Sequence, residues 1–255
     1  MNLKISKASN LILILLLTSC SFFKRSKSEV PTTKVKSSHS YTLSDKSGEF
    51  EYTHQSNYLK KNNRLITKYQ VKAKDSEGKV LEQAVIFSNP GKLKEVYLSR
   101  PEISQYTVWF EGKKYFTEVK LNPKSKTLDL KLESPEKQWN GSKSMPLPKD
   151  AILMCYLGQI MECAKQTGFI SKSIKAQTGT MSFYLIIEGY PYFQEQYIGV
   201  EDSPLIRAQL VYDGTNPQGE KRYSLNFSGQ SIFYFLNEKQ EMIKKFWVSQ
   251  GLTVN

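Results

Sequence analysis

Histidine is nearly absent: the 255-residue chain holds two, His39 and His54. That scarcity argues against a metal cluster, because zinc sites draw several His or Cys ligands at set spacings. It also leaves a Ser-His-Asp hydrolase only His54, since His39 lies in a Ser- and Lys-rich stretch, and no Gly-x-Ser-x-Gly sequence is present to hold up a serine. Cysteine is scarce too, at three residues, Cys20, Cys155 and Cys163, none with a neighbouring His to activate it. Glycine is outnumbered by tyrosine, 14 against 15, with 13 phenylalanines besides, a composition that favours sheet over helix. Acids are in the minority, 24 against 36 basic residues, for a net charge of +12.

The acids that are present do not sort into a catalytic pair. Glu188, Glu195, Asp202 and Asp213 could in principle supply two carboxylates for glycoside hydrolysis, but no spacing singles two of them out. The expectation is that they sit on wet strand faces and in turns, Asp213-Gly214 above all. His54, in the strand-like stretch Glu51-Tyr52-Thr53-His54, is expected to be structural or exposed. No cofactor motif is visible, and the protein is expected not to be an enzyme.

The amino terminus, MNLKISKASNLILILLLTSC, has a cationic start, an apolar run from Leu11 to Leu17, two small residues and a cysteine. Seven apolar residues in helix span about 10 Å, far short of the roughly 30 Å hydrocarbon core. The run therefore reads as the core of an export leader. Leu17-Thr18-Ser19-Cys20 resembles the lipobox of bacterial lipoprotein precursors, in which a dedicated peptidase cuts before the cysteine. The resemblance covers the leader alone. It implies that residues 1–19 are removed and that Cys20 becomes the first residue of the mature chain. The cysteine would then carry a diacylglyceryl group on its thiol and an acyl group on its amine, enough for stable anchoring. Ser21 stands where Gram-negative members retained in the inner membrane commonly have Asp, which implies the outer membrane facing the periplasm, or cell-surface display in a host with one membrane.

From Cys20 to Lys46 there are six basic residues and two acids, with much Ser and Thr and no sustained period. This segment, 20–46, is expected to be a flexible basic tether beside anionic headgroups. An exported protein would rarely meet nucleic acid, and no Arg/aromatic recognition motif is present, so nucleic acid is not expected as a partner.

The body, 47–255, reads as mainly β: curved antiparallel sheets or a sandwich, in two halves, 47–140 and 176–255, joined by one helical segment near residues 150–167. Leu65, Thr67, Tyr69, Val71 and Ala73 share one face of an alternating run, and Tyr106 to Phe110 with Tyr115 to Leu121 predict a hairpin across Glu111-Gly112. In the second half, strands are expected over 180–187, 192–197, 205–212, 222–227, 231–236 and 242–248. Between the halves, Ala151 to Gln166 predicts a helix with Asp150 as N-cap and Gly168 as its stop, breaking near Gly158. On an unbroken helix Cys155 and Cys163 would stand about 12 Å apart, too far for a disulfide. A bond between them therefore requires a turn, and a disulfide and two buried thiols both stay open. The aromatic clusters Phe183-Tyr184, Tyr190-Pro191-Tyr192-Phe193 and Phe233-Tyr234-Phe235 are expected to build sheet core. The alternative is a groove for an apolar ligand. The chain thus reads as an envelope lipoprotein with a binding, structural or assembly role. The other reading is a carrier or receptor for an apolar envelope component such as a lipid or lipoprotein acyl chain, loosely similar to periplasmic lipoprotein carriers.

Overall fold

Alternation of inward and outward side chains runs along most of the body. It builds fifteen strands among the residues that the computed structural model describes, 34–45, 47–61, 64–93, 96–192, 203–249 and 251–255. The leader, Cys20 and the tether up to residue 33 lie outside them. The first eight strands form one antiparallel sheet in chain order: β1 (Lys34–Ser44), β2 (Phe50–Lys61), β3 (Arg64–Asp75), β4 (Val80–Leu93), β5 (Val96–Phe110), β6 (Lys113–Asn122), β7 (Thr127–Glu133) and β8 (Gly141–Pro146). The other seven are β9 (Met154–Tyr156), β10 (Thr180–Ile186), β11 (Leu205–Thr215), β12 (Lys221–Phe227), β13 (Gln230–Leu236), β14 (Met242–Trp247) and β15 (Leu252–Val254). They make a second sheet that runs in order from β15 back to β9. The two sheets are joined at β1 and β15, where Ser44 and Asn255 exchange two backbone hydrogen bonds of 2.8 Å beside the bridge between Asp45 and Val254, and the Tyr156 hydroxyl of β9 donates to the Val119 carbonyl of β6 at 3.2 Å. Among the described residues β8 and β9 are sheet edges, so the strands do not close into a barrel.

The expected mainly β architecture is therefore present, and the period-2 pattern explains its faces. Thr67, Tyr69, Val71 and Ala73 point inward from β3, and Ala84, Ile86 and Ser88 from β4. Ile232, Tyr234 and Leu236 are buried on β13, and the flanking Phe233 and Phe235 are half-buried on its other face. The expected hairpin is β5–β6, and its turn residues Glu111 and Gly112 both have positive φ, 50° and 75°. This is the turn form whose twist matches the strands, and glycine enters its second position without strain.

Four parts of the sequence reading are corrected. The tether does not extend to residue 46, because residues 34–44 are β1, which buries Leu43 and pairs along its length with β2. Its polar composition hid a strand whose main contribution is backbone pairing. The same holds for β8, whose side chains from Gly141 to Ser144 are all exposed. The single helix over 151–166 is replaced by β9, a 3-10 turn at Leu157–Gln159, α1 (Ile160–Gln166) and α2 (Phe169–Ala176). Met154-Cys155-Tyr156 is buried on both faces and pairs with β10, and a short apolar run cannot tell a buried strand from a helix by period. Asp150 does not cap a helix. It accepts a hydrogen bond of 2.9 Å from the Tyr184 hydroxyl and pairs with Arg207 at 2.8 Å. Of the strand expected over 192–197, Tyr192 lies in a turn just after the cis Tyr190-Pro191 bond, and the rest falls outside the described residues.

The β9–β10 pair is parallel, within a body otherwise antiparallel as expected. Parallel neighbours need a long crossover connection, and residues 157–179 supply it. The crossover lies against both sheets. From its first part, Gln159 accepts from Ser88 at 2.8 Å, Glu162 accepts from Tyr58 at 3.1 Å and Gln166 donates to Thr67 at 2.8 Å, all three partners belonging to the first sheet. From α2, Phe169 packs edge-on against Tyr223 of the second sheet, and Ser173 bonds the Tyr223 hydroxyl at 3.0 Å.

A disulfide ties Cys155 on β9 to Cys163 in α1, with the 3-10 turn between them bringing the Cα atoms to 5.9 Å. Closing a loop of this size restricts the unfolded chain by about 2.5 kcal/mol in the chain-entropy description. Replacing both cysteines by serine should lower unfolding free energy by about that amount in a urea titration of the full chain, without changing its far-ultraviolet circular dichroism.

Candidate binding cavity

Where the two sheets and the start of the crossover face one another, the side chains do not fill the interior. A cavity of about 210 Å³ remains. Its first wall comes from β1 to β5, with Tyr41, Tyr52, His54, Tyr69, Glu82 and Tyr106. The second comes from β13 to β15, with Tyr234, Met242, Lys245 and Trp247. Leu157, Gly158, Ile160 and Met161 of the crossover cover it together with Glu188 and Gly189, just after β10. Each wall residue is placed by register. Tyr41 stands opposite His54 in the β1–β2 ladder, and Lys245 opposite Tyr234 in the β13–β14 ladder. Glu82 shares the inward face of β4 with Ala84 and Ile86.

The lining is more polar than an ordinary core. His54 is buried, stacks on Tyr41 with ring centroids 4.8 Å apart, and joins the Tyr69 hydroxyl through Nδ1 at 2.7 Å. Burial, and secondarily the positive charge of Lys245, push its pKa down to about 3, so the imidazole is neutral at pH 7. Burial raises the Tyr41, Tyr69 and Tyr234 hydroxyls far above their ordinary range and brings Tyr52 to about 12, so all four are protonated donors.

Three ionisable side chains share this space. Glu188 is 95% buried by exposure of 5%, and burial lifts its pKa to about 7 against the pull of the Gly158 N–H, which donates to Oε1 at 2.8 Å. A Cβ at position 158 would come to 3.0 Å from that same oxygen, so a larger residue there would push the carboxyl aside. Glu82 is also raised by burial, partly offset by Lys245 and a hydrogen bond from Tyr106. Lys245 is lowered by burial, with Glu82 and Glu188 opposing the shift, and its ammonium stands 5.5 Å from the Trp247 ring centroid. The three feel one another's charge, yet none is in ion-pair contact with a described residue.

The sequence reading missed most of this site. Glu188 is buried against the cavity instead of lying on a wet strand face. Asp213, expected in a turn, lies within β11 at the bulge between Tyr212 and Gly214 and pairs with Arg222 at 3.4 Å, and Glu195 and Asp202 lie outside the described residues. Glu82 and Lys245 were not singled out, although inward charges on otherwise alternating strands were a readable signal. Among the described residues no three His, Cys, Asp or Glu side chains gather as a metal site would require. Among the described residues, the titratable ones the reading weighed that meet at the cavity are His54 and Glu188, and the lining holds no serine or cysteine to act as a nucleophile.

No protein-family model and no curated protein matches the chain. Among solved structures it is similar to a β-barrel-like protein of a domain of unknown function, DUF1849, from Brucella abortus. The likeness has 8% identity and a TM-score of 0.38 over 85% of this chain and 92% of that one. Likeness at this level specifies neither a site nor an activity.

Two titrations follow from the cavity. A carboxylate raised in the folded state holds its proton after the unfolded chain has lost its own, so Glu188 stabilises below about pH 4.5, and that contribution is lost as pH rises toward 7. Glu188→Gln keeps the acceptor for Gly158 and should gain about 3 kcal/mol relative to wild type at pH 8 but little at pH 4, by urea titration at each pH. A depressed imidazole acts in the opposite sense, its stability present above about pH 6.5 and lost as pH falls toward 3. His54→Phe retains the stack on Tyr41 and leaves the Tyr69 hydroxyl short of a partner. It should cost roughly 1–3 kcal/mol at pH 7 while flattening the fall in stability between pH 6 and 4.

Proposed function

We propose that this chain is a membrane-anchored bacterial envelope lipoprotein that acts by binding a small molecule in the cavity between its two sheets, without catalysing a reaction. The observation that carries the binding role is the interior space of about 210 Å³ faced by Glu82, Glu188 and Lys245. Desolvating a charge costs several kcal/mol unless a partner compensates it, so a packed structural core would not retain three in this way. Proteins keep such costs where a ligand or chemistry uses them. The neutral His54 and the absence of a nucleophile among the lining residues favour binding over catalysis.

The location is carried by Leu17-Thr18-Ser19-Cys20, with Ser21 favouring the outer membrane facing the periplasm. Membrane attachment and an interior binding site fit together, since an anchored body can capture a molecule passing through the envelope. The lining counts against an acyl chain as occupant, because it would leave two carboxylates and an ammonium without counterions.

The anchor is tested by growing cells with a labelled palmitate analogue and fractionating them. Wild-type protein should take up label and sediment with membranes, and Cys20→Ser should lose both. Equal labelling and sedimentation of the variant would overturn the anchoring.

A further inference from the structure

The three charged groups of the cavity come from three separate parts of the fold, Glu82 from β4, Lys245 from β14 and Glu188 from the segment after β10. They face the same space from different sides without touching. A bound molecule that satisfies all of them must present ammonium character to the two carboxylates and a carboxylate to Lys245. Tyr41, Tyr52 and Tyr234 add ring faces and hydroxyl donors, and aromatic faces attract ammonium groups. Size narrows the choice. A cavity near 150 Å³ is known to hold benzene with its six heavy atoms, and on that scale 210 Å³ accommodates about eight, within the range of about seven to ten spanned by the diamino acids.

We propose that the cavity binds a basic α-amino acid, with its two ammonium groups at Glu82 and Glu188 and its carboxylate at Lys245. Such a ligand carries one negative and two positive charges, the complement of Lys245 and of Glu82 and Glu188 in their ionised forms, which a bound ammonium group favours. Its methylene stem would pass over Ile160, Met161 and Trp247, which supply apolar surface. Neutral His54 adds no competing charge. This inference rests on the reading of the cavity as a binding site and specifies what enters it.

The test is isothermal titration calorimetry of the detergent-extracted full chain with L-lysine, L-norleucine, 1,5-diaminopentane and hexanoate, together with native mass spectrometry of the protein as purified. L-lysine should bind most tightly, and Glu82→Gln and Glu188→Gln should each weaken it tenfold or more. Lys245→Met should weaken L-lysine and L-norleucine while leaving 1,5-diaminopentane within about twofold. Each variant replaces a group whose charged form desolvation disfavours by a neutral side chain of similar shape, so all three should remain folded by circular dichroism. Tighter binding of hexanoate than of L-lysine, or co-purification of a molecule without an amine, would overturn the amino-acid class and leave a binding protein. Absence of saturable binding by all four, with nothing co-purifying, would overturn both readings.

Discussion

The parallel pairing of β9 with β10 is the constraint from which the interior follows. Two adjacent strands running in the same direction cannot be joined by a hairpin, so the chain must leave the sheet and return. It does so through residues 157–179, and the return path lies between the sheets, where α1 bonds to the first and α2 packs on Tyr223 of the second. Two open sheets whose ladders are joined at the bridge from Asp45 to Val254 thereby gain a common filling. The disulfide from Cys155 to Cys163 holds the beginning of the crossover in place. That fixes Gly158, and the Gly158 N–H in turn fixes the Glu188 carboxyl.

The filling is incomplete, and the incompleteness is polar. Fully apolar positions such as Ile86, Leu128, Leu210 and Ile232 are packed with essentially no exposure, each contributing roughly 1.5–3 kcal/mol by leaving water. At the cavity β4, β2 and β14 carry Glu82, His54 and Lys245, whose charged forms are disfavoured by desolvation there. A fold that places its least favourable groups together around one void, and packs well elsewhere, concentrates the cost where recognition can recover it. Glu188 and His54 make this cost depend on pH in opposite directions, so the interior is most comfortable in mildly acidic to neutral solution.

Much of the architecture was legible locally. Alternation over Leu65 to Ala73 and the turn at Glu111-Gly112 required only neighbours in sequence, because strand faces have a period of two and the turn residues tolerate positive φ. Strands that contribute little besides backbone hydrogen bonds were not legible, since β8 has no apolar pattern and β1 lies in a polar stretch. The helical segment was misread because Met154-Cys155-Tyr156 is apolar on every side, and burial on both faces erases periodicity. At the site, His54 and Glu188 were noticed as residue types, but their environments were not, because desolvation is a property of what folds over a side chain.

By itself the sequence determined the β class and most strand faces, and its first twenty residues carry in contiguous positions the resemblance to lipoprotein precursors on which the proposed anchor rests. Each of these depends on interactions among near neighbours or on a linear motif. Only the tertiary structure decided that Cys155 meets Cys163 and that β9 runs parallel to β10. It alone decided that Glu82, Glu188 and Lys245, separated by up to 163 positions (82 to 245), face one space. Cross-strand register and a crossover between two sheets bring them there, and no local pattern carries that information.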